Sequence, residues 1–149
     1  MAGLITLGEK RRFRGADAPY AHWSHCALVV GTDGAIVEAE STGVKRSPLS
    51  RYKDDENHLV RLGTEFEPAG RRQAVEYSEA RVGQGFGYLA LVVAALFLMF
   101  GIPLRLMRRD HQICSGLVVR ALQKGGLLPG ADPALMLPAD LAKIYEVRP

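Results

Sequence analysis

The stretch Ser24–Ala39 does most to limit what this 149-residue chain can fold into. Ser24 to Val30 is an apolar run with a β-branched end, the composition of a buried strand. Gly31-Thr32-Asp33-Gly34 follows, rich in turn-forming residues. Ala35 to Ala39 then returns as a second apolar run interrupted by Glu38. Two such runs joined by so short a turn predict an antiparallel hairpin. Its register puts His25, early in the first strand, and Glu38, late in the second, at one end and within side-chain reach. Strict alternation along the first strand would turn Cys26 to the face opposite His25.

A second constraint lies far downstream. Arg109-Asp110-His111-Gln112-Ile113 is a short polar loop leading into Cys114. From there Leu117, Val118, Ala121 and Leu122 recur at helical spacing, and Gly125-Gly126 supplies the left-handed end that helices favour. The spacing therefore predicts a helix with Cys114 at its start. Unpaired N–H groups and the positive end of the helix dipole there favour thiolate, the nucleophilic form of cysteine.

The remaining segments arrange around these two. Residues 3–7 read as a short strand, and a loop through Gly15, Asp17 and Pro19 carries Tyr20, His22 and Trp23. Val44–Ser47 and His58–Leu62 read as strands, with one helical turn over Pro48–Tyr52 and a polar loop over Lys53–Asn57. Pro68–Val82 reads as an amphipathic helix. Leu127–Leu137 reads as a Pro/Gly loop, and Pro138–Tyr145 as a short closing helix. Phe86–Leu104 carries no charge and is broken by Gly101 and Pro103. It is short for a membrane span, which needs about 20 residues. A buried core helix is the expectation, and a spanning or interfacial helix, or a docking face for a membrane or protein partner, is the alternative.

The length suits a single domain over residues 1–149 with a real core. A net charge of +3 favours an anionic partner such as a cell-wall polymer or lipid headgroup. It argues against nucleic acid, because no dense basic run is interleaved with aromatics. Lys10-Arg11-Arg12-Phe13-Arg14 reads as a solvated arm. Two cysteines, Cys26 and Cys114, do not make a disulfide framework. The N-terminus has no basic region before an apolar core, so no Sec-type signal peptide is expected. Cytoplasmic or virion-associated placement follows as an expectation, with peripheral membrane contact as an option.

A thiol hydrolase needs a thiolate, an imidazole, a polar group that orients the imidazole, and N–H donors for the oxyanion. Cys114, His25 and Glu38 supply the first three, and the backbone around Cys114 and Ser115 is a source of the fourth. No cofactor is expected. A zinc site is the rival reading, since His22-x-x-His25 and His111-x-x-Cys114 sum to three histidines and one cysteine.

The order of these pieces is similar to a known architecture. Ser24-His-Cys-Ala-Leu-Val-Val30, then Gly34-Ala-Ile-Val-Glu-Ala39, then Ile113-Cys-Ser-Gly-Leu-Val118 resemble the circularly permuted branch of the NlpC-type papain-like cysteine hydrolases. This is the YiiX/YebB-like group that includes lecithin retinol acyltransferase-like proteins. The resemblance extends to Gly43-Val44, Pro48–Tyr52 and Pro138–Leu141. It implies an α+β permuted papain-like fold, with a small antiparallel sheet packed against the helix bearing the cysteine. It also implies Cys114 as nucleophile, His25 as general base and Glu38 as orienting residue, with Glu40 behind Glu38. Gln112-Ile113 stand where an aromatic is expected, so Gln112 or Tyr20 become candidate oxyanion partners. The implied substrate is a cell-wall peptide amide, as in a signal-less phage hydrolase. A lipid ester or N-acyl substrate is the alternative, and a non-catalytic assembly protein docking through Phe86–Leu104 is a third possibility.

Overall fold

The computed structural model describes residues 12–63, 66–85 and 114–149. The hairpin forms, but its first strand is short. Strand β1 is Leu28–Val29, β2 is Ala35–Glu40 and β3 is Gly43–Pro48, all antiparallel in the order β1-β2-β3. Gly34 takes φ 79°, which the turn between β1 and β2 requires. As the central strand, β2 is covered on both sides, and Ala35 to Ala39 are all buried.

Three α-helices accompany the sheet among the described residues: α1, Pro68–Glu79; α2, Cys114–Lys124; and α3, Pro138–Ile144. Helix α2 holds the fold together because almost every side of it is apolar or small. Its Leu117 packs with Val37, Ala39 and Val44 of the sheet. Its Val118, Val119, Ala121 and Leu122 pack with Phe66, Ala74 and Leu141, which draws in α1 and α3. Burying each large aliphatic side chain stabilises by roughly 1.5–3 kcal/mol.

The end of α2 follows its glycines. Gly126 takes φ 92°. Gly126 N–H bonds to Gln123 O at 3.0 Å and Leu127 N–H to Leu122 O at 2.9 Å, the two bonds of a Schellman cap. Gly125 serves a different need: a Cβ there would lie 2.4 Å from the Phe66 ring, and one on Gly70 would lie 2.3 Å from the Gly125 carbonyl oxygen. The start of α1 and the end of α2 therefore touch backbone to backbone.

Several expectations change. The strand expected over Ser24–Val30 is regular only at Leu28–Val29, so His25 and Cys26 precede the ladder and escape its alternation. His58–Leu62 is irregular and joins no strand of the sheet among the described residues; Leu59 and Val60 are exposed. The expected loop at Gly15–Pro19 is part of a 3-10 helix over Gly15–His22. Helix α1 ends at Glu79, and the chain turns so that Gln84 O accepts from Val44 N–H at 2.8 Å. The basic arm is partly docked: Phe13 is buried, and Arg12 bridges to Asp140 at 3.1 Å. Among the described residues no helix is long and apolar enough to cross a membrane. The expected strand at residues 3–7 and the apolar stretch Phe86–Leu104 lie outside the described residues.

Candidate active site

Three segments converge at the start of α2. The β1–β2 register pairs Leu28 with Val37, so continuing it would set Ala27 opposite Glu38 and His25 diagonal to it. His25 Nε2 in fact lies 2.9 Å from Glu38 Oε2. The His25 ring also hydrogen-bonds the Cys114 side chain. Glu38, His25 and Cys114 thus form one continuous line of contacts.

Glu38 is fully buried, so its charge must be met inside the protein. Ser47 and Tyr52 hydrogen-bond it along with His25, and Arg51 Nη1 stands 3.5 Å from Oε1. Burial alone would push the carboxyl up, but these hydrogen bonds outweigh it and hold its pKa below the usual value. Tyr52 arrives by way of a turn. Leu49 N–H bonds Gly34 O at 2.8 Å, and a 3-10 helix over Leu49–Tyr52 folds back beside β2. Burial and the Glu38 carboxylate push the Tyr52 hydroxyl up, so it stays protonated as a donor. Sequence reasoning gave Tyr52 no role. The signal was Pro48, which starts the turn that brings it there.

Cys114 is buried and its pKa is well below the usual thiol value. The Cys26 side chain hydrogen-bonds it, which is the largest cause; burial opposes, and His25 adds a hydrogen bond and its positive charge. The Cys26 backbone also hydrogen-bonds Cys114. The expectation that Cys26 turns away from the site is therefore corrected. Alternation holds only inside a pleated strand, and Cys26 lies before Leu28. For His25, burial favours the neutral ring, but Cys114 and Glu38 together raise its pKa from 6.5 to about 9. The His25 ring is therefore favoured as imidazolium at neutral pH, and its charge shifts Cys114 toward thiolate.

The other candidates lie elsewhere. Glu40 is held by Arg51 at 3.0 Å and by Lys45, not by His25. The Ser115 hydroxyl donates to Met136 O at 2.6 Å, which fixes the α2 start to the segment before α3. Only its backbone N–H is left for oxyanion work. Tyr20 packs with Phe13, Ala21 and Ala139, and its hydroxyl accepts from Arg148 at 3.4 Å, which leaves it in a separate cluster. Gln112 lies outside the described residues, as does His111 of the zinc reading. His22 Nε2 contacts Glu56 at 2.8 Å, and no metal-holding group of three or more His, Cys, Asp or Glu occurs among the described residues.

A cavity of about 460 Å³ adjoins the site. His25, Cys26 and Tyr52 line it beside Trp23, Leu28, Ile36, Leu62 and Phe66. Against models of protein families, curated proteins and solved structures, the chain finds no match.

Proposed function

We propose that this chain is a thiol hydrolase or acyl-transfer enzyme of permuted papain-like architecture, working through Cys114, His25 and Glu38. The observation that carries this reading is the unbroken contact line from buried Glu38 through His25 to Cys114. The Cys114 thiolate adds to an amide or ester carbonyl carbon. The oxyanion forms near the backbone N–H groups at the start of α2. His25 gives its proton to the leaving nitrogen or oxygen as the carbon–heteroatom bond breaks, which leaves a thioester. His25 then takes a proton from water, hydroxide adds to the thioester, and the acid leaves as Cys114 returns to thiolate. Glu38 keeps the ring oriented and stabilises its charged form.

The resemblance in sequence supports a cell-wall peptide amide as substrate, and the mild positive charge is compatible with that. The apolar lining of the cavity favours a second reading, an acyl chain on an ester or amide. Two assays separate them: amine release from peptidoglycan, and hydrolysis of acyl esters of increasing chain length. Activity on either should vanish in Cys114→Ala. A Cys114→Ala variant that retains full activity would remove the proposal. Turnover that rises with acyl length would select the second substrate.

A further inference from the structure

We propose that Tyr52 is a positioning residue for His25: its hydroxyl shares one oxygen of Glu38 with the imidazole and so sets how tightly the ring holds its proton. Two donors converge on Glu38 Oε2. His25 Nε2 lies 2.9 Å from it, and the Tyr52 hydroxyl donates to the same oxygen. Arg51 Nη1 stands 3.5 Å from the other oxygen, Oε1. A carboxylate oxygen that already accepts from a hydroxyl offers less negative charge to a second donor. The Tyr52 ring also lies against the imidazole, with centroids 6.0 Å apart and planes tilted by 31°. Its turn is fixed from both sides, by Leu49 N–H on Gly34 O at 2.8 Å and by the Asn57 side chain on Tyr52 O at 2.8 Å. Neither bond involves His25 or Glu38, so the hydroxyl is placed independently of the groups it acts on.

The hydroxyl also stands 3.4 Å from Glu40 Oε1, and Glu40 is held in turn by Arg51 and Lys45. Two carboxylates beside one hydroxyl keep its proton on, so Tyr52 acts on Glu38 only as a donor. The titratable groups facing His25 are Glu38 from β2, Tyr52 from the 3-10 turn and Cys114 from α2. Glu56, His58 and Arg61 share its cavity. The role rests on the acyl-transfer reading, in which His25 gives a proton to the leaving nitrogen or oxygen. An imidazolium that holds its proton too tightly is a poor general acid. Without the Tyr52 hydroxyl, Glu38 Oε2 would serve His25 alone and tighten that hold.

Tyr52→Phe keeps the ring and removes the hydroxyl. The His25 ring is titrated by NMR, assigned against His25→Ala, and steady-state rates across pH are taken on the same full-length proteins. Tyr52→Phe should raise the His25 pKa above about 9 and move the upper pH limit of the rate up with it. It should also lower kcat on the order of tenfold with KM held. Glu38→Gln removes the charge and moves the same limit down, so two changes to one network part in opposite directions. General loosening of the site would move both the same way. An unmoved or lowered His25 pKa in Tyr52→Phe overturns the proposal, and so does a rise in KM alone. The unmutated chain gives a second measurement that needs no variant to fold. Its Tyr52 hydroxyl proton should be protected from exchange, show a nuclear Overhauser effect to the His25 ring, and shift as that ring titrates. A freely exchanging hydroxyl overturns the proposal. A raised His25 pKa in Tyr52→Phe with no turnover by the unmutated chain defeats the acyl-transfer reading and leaves the coupling standing.

Discussion

Glu38 is a charged side chain with no exposure, and its neighbours account for it: His25, Tyr52, Ser47 and Arg51 all face its oxygens. A buried carboxylate with its partners removed is costly, and so are partners left without their carboxylate. Glu38→Gln keeps the shape and removes the charge. His25 then loses one of its two stabilising neighbours, so its pKa should fall below about 9. The upper pH limit of the reaction should move down with it. Turnover should drop on the order of 10–100-fold, as it does when a group orienting a functional histidine is lost. Steady-state rates across pH read both effects, and an unshifted upper limit would separate Glu38 from His25. His25, Glu38 and Cys114 were legible in the sequence because their residue types are scarce on apolar elements. Cys26 and Tyr52 were not. Cys26 sits one residue from His25, yet its direction depends on where pleating begins, two residues later. Tyr52 depends on a turn closing back on the strand, and no local pattern encodes that closure.

At the scale of elements, α2 does two jobs with one sequence. Its first residue is the proposed nucleophile, and the next turns are the core. Leu117 is fully buried between the helix and Val37, Ala39 and Val44. Leu117→Ala should cost about 2–5 kcal/mol in urea unfolding, since it opens a cavity between helix and sheet. Gly70→Ala tests the backbone contact with Gly125. The added methyl cannot fit at 2.3 Å from a carbonyl oxygen, so α1 must move away from α2. The substitution should destabilise the fold even though alanine is the better helix former. Unchanged or increased stability would contradict the close approach. The periodicity and terminal glycines of α2 made the helix readable, and the Gly31–Gly34 turn did the same for the hairpin. His58–Leu62 failed as a strand because alternation describes one chain, whereas a strand also needs a neighbour with an open edge.

The whole molecule should show these charges in its stability against pH. Glu38 has a lowered pKa, so its contribution is present above its ordinary value of 4.5 and is lost as pH falls through the folded value. His25 has a raised pKa, so its contribution is full below 6.5 and is lost as pH rises through about 9. Cys114 is lowered, so its contribution is full above 9.0 and is lost as pH falls through its folded value. As pH rises toward 9 the two contributions run in opposite directions, His25's falling and Cys114's growing. The opposed slopes offset one another, so stability should change less with pH there than either group alone would make it. Cys114→Ala removes the offsetting partner, so its stability should fall as pH rises above 6.5, by less than the full His25 shift implies. Urea unfolding at a series of pH values reads both curves. The most direct measurement is the rate of Cys114 alkylation by iodoacetamide against pH, with the labelled residue identified by mass. The thiolate–imidazolium pair predicts rapid labelling that is already level through neutral pH. A rate that climbs only through the ordinary thiol range near 9.0 would contradict it.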